Sequence, residues 1–104
     1  YNYFLMTDLI KKKSWVIKFE VTFYGNDPKR GSFREIKKDS VVINEDIDIK
    51  NKVSFDTKEN VEINFLLWVD DLPIEKLTKV PHDYNNSMVK YDEESIEVLS
   101  VTRV

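Results

Sequence analysis

Residues 14–24 have the sequence SWVIKFEVTFY, and their pattern governs how the rest of the chain is interpreted. Every odd-numbered position is apolar, whereas the even-numbered positions include lysine, glutamate and threonine. Side chains of a β-strand point alternately to the two faces of a sheet, so this alternation predicts a strand with one buried face. The predicted buried face consists of Trp15, Ile17, Phe19, Val21 and Phe23.

A second stretch, residues 60–70, has the sequence NVEINFLLWVD and also alternates. We therefore predict a second long strand here. Its predicted core face consists of Val61, Ile63, Phe65, Leu67 and Val69. Leu66 and Trp68 then fall on the opposite face, which a one-sided sheet would keep polar.

Shorter segments complete the predicted set of strands. They cover residues 32–37, 41–44, 47–55, 87–91 and 95–104. Residues 25–31 hold both glycines and one proline, which predicts a turn. Asp71 is a candidate cap for one helical turn with Ile74 and Leu77 facing inward. In the last strand the apolar positions shift from Ile96 and Val98 to Leu99 and Val101, which a bulge or burial on both faces would explain.

Residue usage also favours strands over helices. Valine, isoleucine and threonine supply 26 residues, and alanine, the best helix former, is absent. We therefore predict a single all-β domain over residues 1–104, an antiparallel, Greek-key-like sandwich of seven or eight strands with at most one short helical turn. The alternative is an α+β domain in which residues 3–13 form an N-terminal helix.

Composition excludes several classes of protein. The chain has 104 residues, a formal net charge of −3, no cysteine and one histidine. The lack of cysteine excludes disulfides and thiolate metal sites, and no apolar run approaches the 18 residues of a membrane span. Residues 1–38 carry a balance of +5 and residues 39–104 a balance of −8. The overall acidity argues against a dedicated nucleic-acid-binding protein. Nothing in the sequence indicates a cellular compartment.

No motif for catalysis, metal binding or phosphate binding is complete. His82 is the sole histidine, and no nucleophile is placed beside it by sequence. A calcium loop starting at Asn44 would need glycine at position 49 and glutamate at position 55, where the chain has Ile49 and Phe55. We predict no catalytic residue, no metal site and no cofactor. Whether acidic loops bind calcium stays open; the candidate ligands are Asp70, Asp71, Asp92 and Glu93.

Apolar residues on the predicted solvent faces are the main functional clue. Leu66, Trp68 and Tyr24 stand where a one-sided sheet would be polar. The domain itself would cover these side chains, or a protein partner or second copy would, or exposed aromatic rings would stack on a sugar. We predict a non-catalytic protein-interaction module, either an adaptor, an inhibitor or immunity-type protein, or a component of a larger assembly. Leu66, Trp68 and Tyr24 are its predicted partner-binding residues.

Other functions remain as alternatives. The module would self-associate through a sheet face, or it would bind carbohydrate through Trp68 and Tyr24 as stacking platforms. A small enzyme using His82 is the third hypothesis. The predicted partner is a protein or a second copy, with carbohydrate as the alternative and with no nucleic acid or membrane span involved.

Overall fold

The computed structural model describes residues 13–85 and 88–104. Its elements follow in the order β1 (Ser14–Asp27), β2 (Gly31–Asn44), α1 (Lys58–Asp70), α2 (Ile74–Leu77) and β3 (Lys90–Arg103). The three strands form an antiparallel sheet in the order β2-β1-β3. The predicted all-β sandwich of seven or eight strands is therefore wrong, because the described residues form three long strands and two helices.

β1 is the central strand, and its buried face was predicted correctly. Ile17, Phe19, Val21 and Phe23 are fully buried, and Trp15 is nearly so. The indole N–H of Trp15 donates a hydrogen bond of 3.1 Å to the carbonyl oxygen of Phe55. A long alternating strand bonded on both edges thus supplies one continuous apolar row, against which the remaining elements pack.

The β1–β2 hairpin replaces two of the predicted strands with one. Residues 28–30 form its turn, and Gly31 has a φ of 75°, a conformation that favours glycine. The predicted strands at 32–37 and 41–44 are parts of the single strand β2, because pairing with β1 continues without a break from Gly31 to Asn44. The polar residues between them weakened the apolar pattern without interrupting the ladder.

β3 likewise merges two predicted strands, at 87–91 and 95–104, although residues 86 and 87 lie outside the described residues. The predicted break at 92–94 is wrong, since these residues lie within β3. Of the two explanations offered for the shift of apolar positions, a bulge or burial on both faces, the structure shows the bulge. Phe19 pairs with Val98 and Lys18 with Ser100, which leaves Leu99 as the extra residue. A second register shift makes Asp92 extra.

Residues 60–70 are helical, so the second predicted strand is wrong. Val61, Phe65 and Val69 are buried in α1, and their i, i+4, i+8 spacing is the stripe of an amphipathic helix. The same three residues also fit a period of two, which is why alternation misled. Thr57 starts the helix, its hydroxyl accepting a 3.2 Å hydrogen bond from the Asn60 N–H. This cap was the sequence signal that alternation obscured.

The segment between β2 and α1 is irregular, which corrects the predicted strand at 47–55. The fully buried Asn64 attaches this segment to α1. Its side-chain amide accepts from the Val53 N–H at 2.9 Å and donates to the carbonyl oxygens of Val53 and Ser54 at 2.9 and 3.3 Å. Side-chain bonds therefore replace the strand ladder that the sequence pattern suggested.

The short helix α2 matches the predicted helical turn. Ile74 and Leu77 pack against the core, but Pro73 rather than Asp71 occupies the cap position. The alternative prediction of an α+β fold agrees in class. Its proposed helix at residues 3–13 falls almost entirely on residues outside the described part, and the helices that are described lie between β2 and β3.

One layer of helix and loop covers one face of the sheet. Phe65 of α1 meets Phe19 of β1 with ring centroids 5.3 Å apart. We call the face that packs on α1 the inner face and the other the outer face. Among the described residues, no element lies over the outer face.

Replacing Phe65 with alanine tests this packing. We expect Phe65→Ala to lower the free energy of unfolding by about 3–5 kcal/mol, because it leaves a cavity against Phe19. Ile63→Ala changes an exposed position of the same helix. Apart from a small stabilising gain in helix propensity, it should lower the free energy of unfolding by about 0.5 kcal/mol or less. Urea unfolding followed by circular dichroism measures both values. Equal losses for the two variants would show that α1 does not pack as described.

Candidate binding groove

The three predicted binding residues lie on three different surfaces. Tyr24 is on the outer face of the sheet, whereas Leu66 and Trp68 belong to α1 on the other side. Two positions apart on a helix correspond to a rotation of about 200°, so Leu66 and Trp68 do not share a face. The structure therefore brings none of the three together.

Trp68 is half-buried, and it contributes more to the core than to a binding surface. Its ring lies 6.3 Å from that of Phe65, and it packs against the core cluster. Leu66, in contrast, is 42% exposed. Of the predicted residues on α1, Leu66 is the one available to a partner.

Leu66 lies in a groove between α1 and β3. At this end the groove has a volume of about 630 Å³. Its lining consists of Leu66, Val69, Asp70, Leu72, Ile74, Glu75, Tyr84, Glu94 and Ile96. Apolar side chains, Leu66 among them, and the carboxylates of Asp70, Glu75 and Glu94 share this lining.

The groove continues toward the start of α1. There a further volume of about 350 Å³ is lined by Lys58, Glu59, Glu62 and residues 98–102. Glu62, Leu66 and Asp70 follow one another at intervals of four along α1, so they form a single stripe. Val98 lines the same cavity as Glu62, and Ile96 and Glu94 line the same cavity as Leu66 and Asp70, so β3 runs antiparallel to this order. We call the whole feature the α1–β3 groove.

The groove opens onto a free strand edge. β3 pairs with β1 on one side, and within residues 13–85 and 88–104 nothing pairs with its other side. Consecutive residues from Val98 to Thr102 line the groove, so it reaches around the edge from the inner face. Residues 93–98 are regular, since the bulges lie at Asp92 and Leu99. Unpaired N–H and C=O groups of such an edge accept another strand.

The other free edge, on β2, differs in character. Residues 34–39 of β2 have the sequence REIKKD, with five charged residues among six. Charged side chains, lysine above all, protect an edge strand against further pairing. The regular stretch of β3, residues 93–98, has the sequence EESIEV, with three glutamates and no basic residue. The β3 edge is therefore the better candidate for binding.

The electrostatics of the groove are strongly one-sided. Its lining contains five carboxylates, from Glu59, Glu62, Asp70, Glu75 and Glu94, and one ammonium group, from Lys58. None of these carboxylates forms an ion pair with another described residue. The groove therefore presents an excess of negative charge beside its apolar side chains.

Tyr84 lines one end of the groove and is held there by a hydrogen bond and by ring packing. Its hydroxyl donates a 2.5 Å hydrogen bond to the Glu94 carboxylate, and this bond, together with burial, raises the pKa of Tyr84 to about 12. The Tyr84 ring packs on Phe23 at 5.6 Å and on Tyr91 at 5.0 Å. The groove end is thus anchored to the core of the sheet.

A polar cluster fixes the hairpin tip against the segment before β3. Arg30 donates to Asp27 at 2.9 Å and to Asp83 at 3.0 Å, and its guanidinium lies 4.0 Å from the centre of the Phe33 ring. Asp83 also accepts a hydrogen bond from the Tyr91 hydroxyl. That bond is the main cause of the lowered pKa of Asp83, and the charge of Arg30 is a smaller contribution in the same direction. These side chains bond to one another, so a structural role in holding the hairpin tip accounts for the cluster.

His82 has no catalytic surroundings in the described part of the chain. It is exposed, and its neighbour Asp83 is engaged by Arg30 and Tyr91 instead. The cleft at His82 has a volume of about 400 Å³. It is lined by Asp27, Pro28, Lys29, His82, Asp83, Met88 and Val89, so no hydroxyl or thiol faces the imidazole there.

Neither a metal cluster nor a membrane-crossing helix is found among the described residues. No three side chains of the histidine, cysteine, aspartate or glutamate type come together there as metal ligands. Of the calcium candidates, Asp70 and Asp71 end α1, whereas the side chains of Asp92 and Glu93 lie outside the described set. None of the described helices has the length and apolar character needed to cross a membrane.

Comparison of the chain with protein-family models, with curated proteins and with solved structures returns no match. Function must therefore be inferred from the geometry of the described residues. Sequence reasoning identified Leu66 but not the groove around it. The groove depends on which strand lies beside α1, and no local pattern in the chain encodes that neighbour.

The bond between Tyr84 and Glu94 predicts a dependence of stability on alkaline pH. Because the folded-state pKa of Tyr84 is raised above 10, its contribution to stability is complete below pH 10 and disappears as pH rises toward 12. We expect Tyr84→Phe, which keeps the ring, to lose less stability than the wild type between pH 10 and 12. Urea midpoints at pH 9, 10 and 11 measure this. Parallel curves for the two proteins would contradict the bond.

Proposed function

We propose that this chain is a non-catalytic protein-interaction module that binds an extended segment of a partner protein along the β3 edge. The partner segment adds a fourth strand to the sheet, and its side chains enter the α1–β3 groove. The observation that carries the proposal is a groove, lined in part by apolar side chains, beside a strand edge that no described residue pairs with. In such binding, main-chain hydrogen bonds supply affinity and side-chain pockets supply specificity.

The regular part of β3 suits this mode of binding. Residues 93–98 offer six consecutive positions between the two bulges, which is enough to pair with a peptide of about seven residues. Leu66 lines the same cavity as Ile96, which is near the middle of this stretch. A partner's apolar side chain placed there would bury Leu66, and burial of one such side chain is worth about 1.5–3 kcal/mol.

The groove supports this function better than it supports carbohydrate binding. Trp68 is half-buried and lies on the α1 side of the sheet, whereas Tyr24 lies on the outer face. The two rings therefore do not form a common stacking platform. No described residue arrangement favours an enzyme.

Serine substitutions at two helix positions test the proposal. Heptapeptides selected on the wild-type protein from a random displayed library should bind Leu66→Ser at least tenfold more weakly, because the apolar contact is lost. They should bind Ile63→Ser unchanged. Ile63 is the matched control, since it is 45% exposed on the same helix but lines neither part of the groove. Fluorescence anisotropy with labelled peptides measures both affinities.

N-methylated versions of a selected peptide test the main-chain bonds. Only alternate N–H groups of an added strand face the sheet, so methylation of one alternate set should abolish binding and methylation of the other set should leave it intact. Hydrogen exchange should show protection within residues 93–98. Equal effects of both sets, or protection confined to β2, would contradict binding at the β3 edge.

Self-association through the outer face is the second candidate function. Exposed apolar side chains stand on this face at Tyr24, Ile36, Val42 and Leu99. A second copy packed against them would remove this surface from water. If this candidate is right, light scattering at about 100 µM gives the mass of a dimer and Ile36→Lys restores the monomer mass, whereas the control Ile63→Lys does not. A monomeric wild type would contradict it.

A further inference from the structure

We infer that the segment bound by the α1–β3 groove carries basic, apolar and basic side chains at three successive positions of one strand face. The corresponding pattern is Lys/Arg–x–apolar–x–Lys/Arg. This inference rests on the proposed function and specifies the chemistry of its partner. It follows from the spacing and the charges of the groove wall.

The wall repeats at nearly the same distance as a strand. Glu62, Leu66 and Asp70 follow one another every four residues along α1, a rise of about 6 Å. Side chains on one face of a strand repeat every two residues, about 6.7 Å. Three successive side chains of an added strand therefore meet an acidic, an apolar and an acidic residue in turn.

β3 preserves this match on the other side of the groove. Val98, Ile96 and Glu94 alternate along the regular part of the strand. Val98 lines the same cavity as Glu62, and Ile96 and Glu94 line the same cavity as Leu66 and Asp70. An added strand paired with residues 93–98 would thus keep its register along the whole stripe. The pattern is symmetric about its centre, so it holds whether the partner runs parallel or antiparallel to β3.

Charge complementarity selects the basic residues. The groove lining contains five carboxylates and one ammonium group. Glu62 and Asp70 are exposed and make no ion pair within the described residues. Opposite charges across an interface attract, and like charges reject the wrong partner. Lys58, four residues before Glu62, also disfavours a further basic residue beyond the pattern.

Four labelled heptapeptides test the inference on the full chain. They are TKTVTKT, the neutral TSTVTST, the acidic TETVTET and TVTKTVT, in which the basic and apolar positions are exchanged. We expect TKTVTKT to bind about tenfold more tightly than TSTVTST, since each exposed charge pair contributes roughly a two- to fivefold gain. TETVTET should not bind measurably, and TVTKTVT should bind more weakly than TKTVTKT. Raising NaCl from 50 to 500 mM should weaken TKTVTKT far more than TSTVTST.

Charge reversal in the protein provides the decisive comparison. The double variant Glu62→Lys/Asp70→Lys should lose the preference for TKTVTKT and acquire binding of TETVTET. The control Glu45→Lys/Asp48→Lys makes the same change in net charge at exposed positions outside the groove and should behave as the wild type. If circular dichroism shows that the double variant does not fold, the single variant Glu62→Gln replaces it. Glu62→Gln should weaken the binding of TKTVTKT by two- to fivefold.

The outcomes separate this inference from the proposed function. If TSTVTST binds as tightly as TKTVTKT and both protect residues 93–98 from hydrogen exchange, strand addition stands and the basic pattern is overturned. If no peptide protects those residues, both are overturned. Protection of every amide of residues 93–98 in the free chain would also overturn both, because it would show the edge to be occupied already.

Discussion

Contact between Phe19 and Phe65 is the interaction on which the architecture depends. β1 presents a fully buried apolar row, and one helix supplies the side chain that meets its centre, with the rings 5.3 Å apart. Within the described part of the chain the sheet has three strands, and α1 lies closest to β3. Placing the helix there creates the α1–β3 groove. Core packing and the candidate site therefore have the same origin.

Sequence patterns specified β1 in detail and failed for α1. In β1 the predicted buried face was correct at every residue, although Trp15, Phe19 and Phe23 also have the spacing of a helical stripe. In residues 60–70 seven of the eleven positions are apolar, and Val61, Phe65 and Val69 likewise satisfy both periods. The deciding signal was Thr57, a capping residue just before the apolar run. The shift of parity before Leu99 was visible in the sequence, but it left open a bulge or burial on both faces, and the register shows the bulge.

The candidate site was less predictable than the fold. Leu66 was identified as an apolar residue on a solvent face, and it is exposed, but its partner surface comes from β3, about 30 residues later in the chain. Which strand ends the sheet is a matter of topology. Polar interruptions in β2 and β3 divided two 14-residue strands into four shorter predictions, so the sheet order could not be derived. The acidic stripe of α1 likewise emerges only once residues 60–70 are helical.

The order of the elements has a consequence for biosynthesis. β1, β2 and α1 all precede β3, and the hairpin closes through a three-residue turn, whereas β1 joins β3 across more than 60 intervening residues. Local contacts form before distant ones because short loops cost less entropy to close. During translation the central strand therefore spends time with one edge unsatisfied, open to any extended chain nearby. Residue 103 must leave the ribosome before β3 can pair with β1 along its full length.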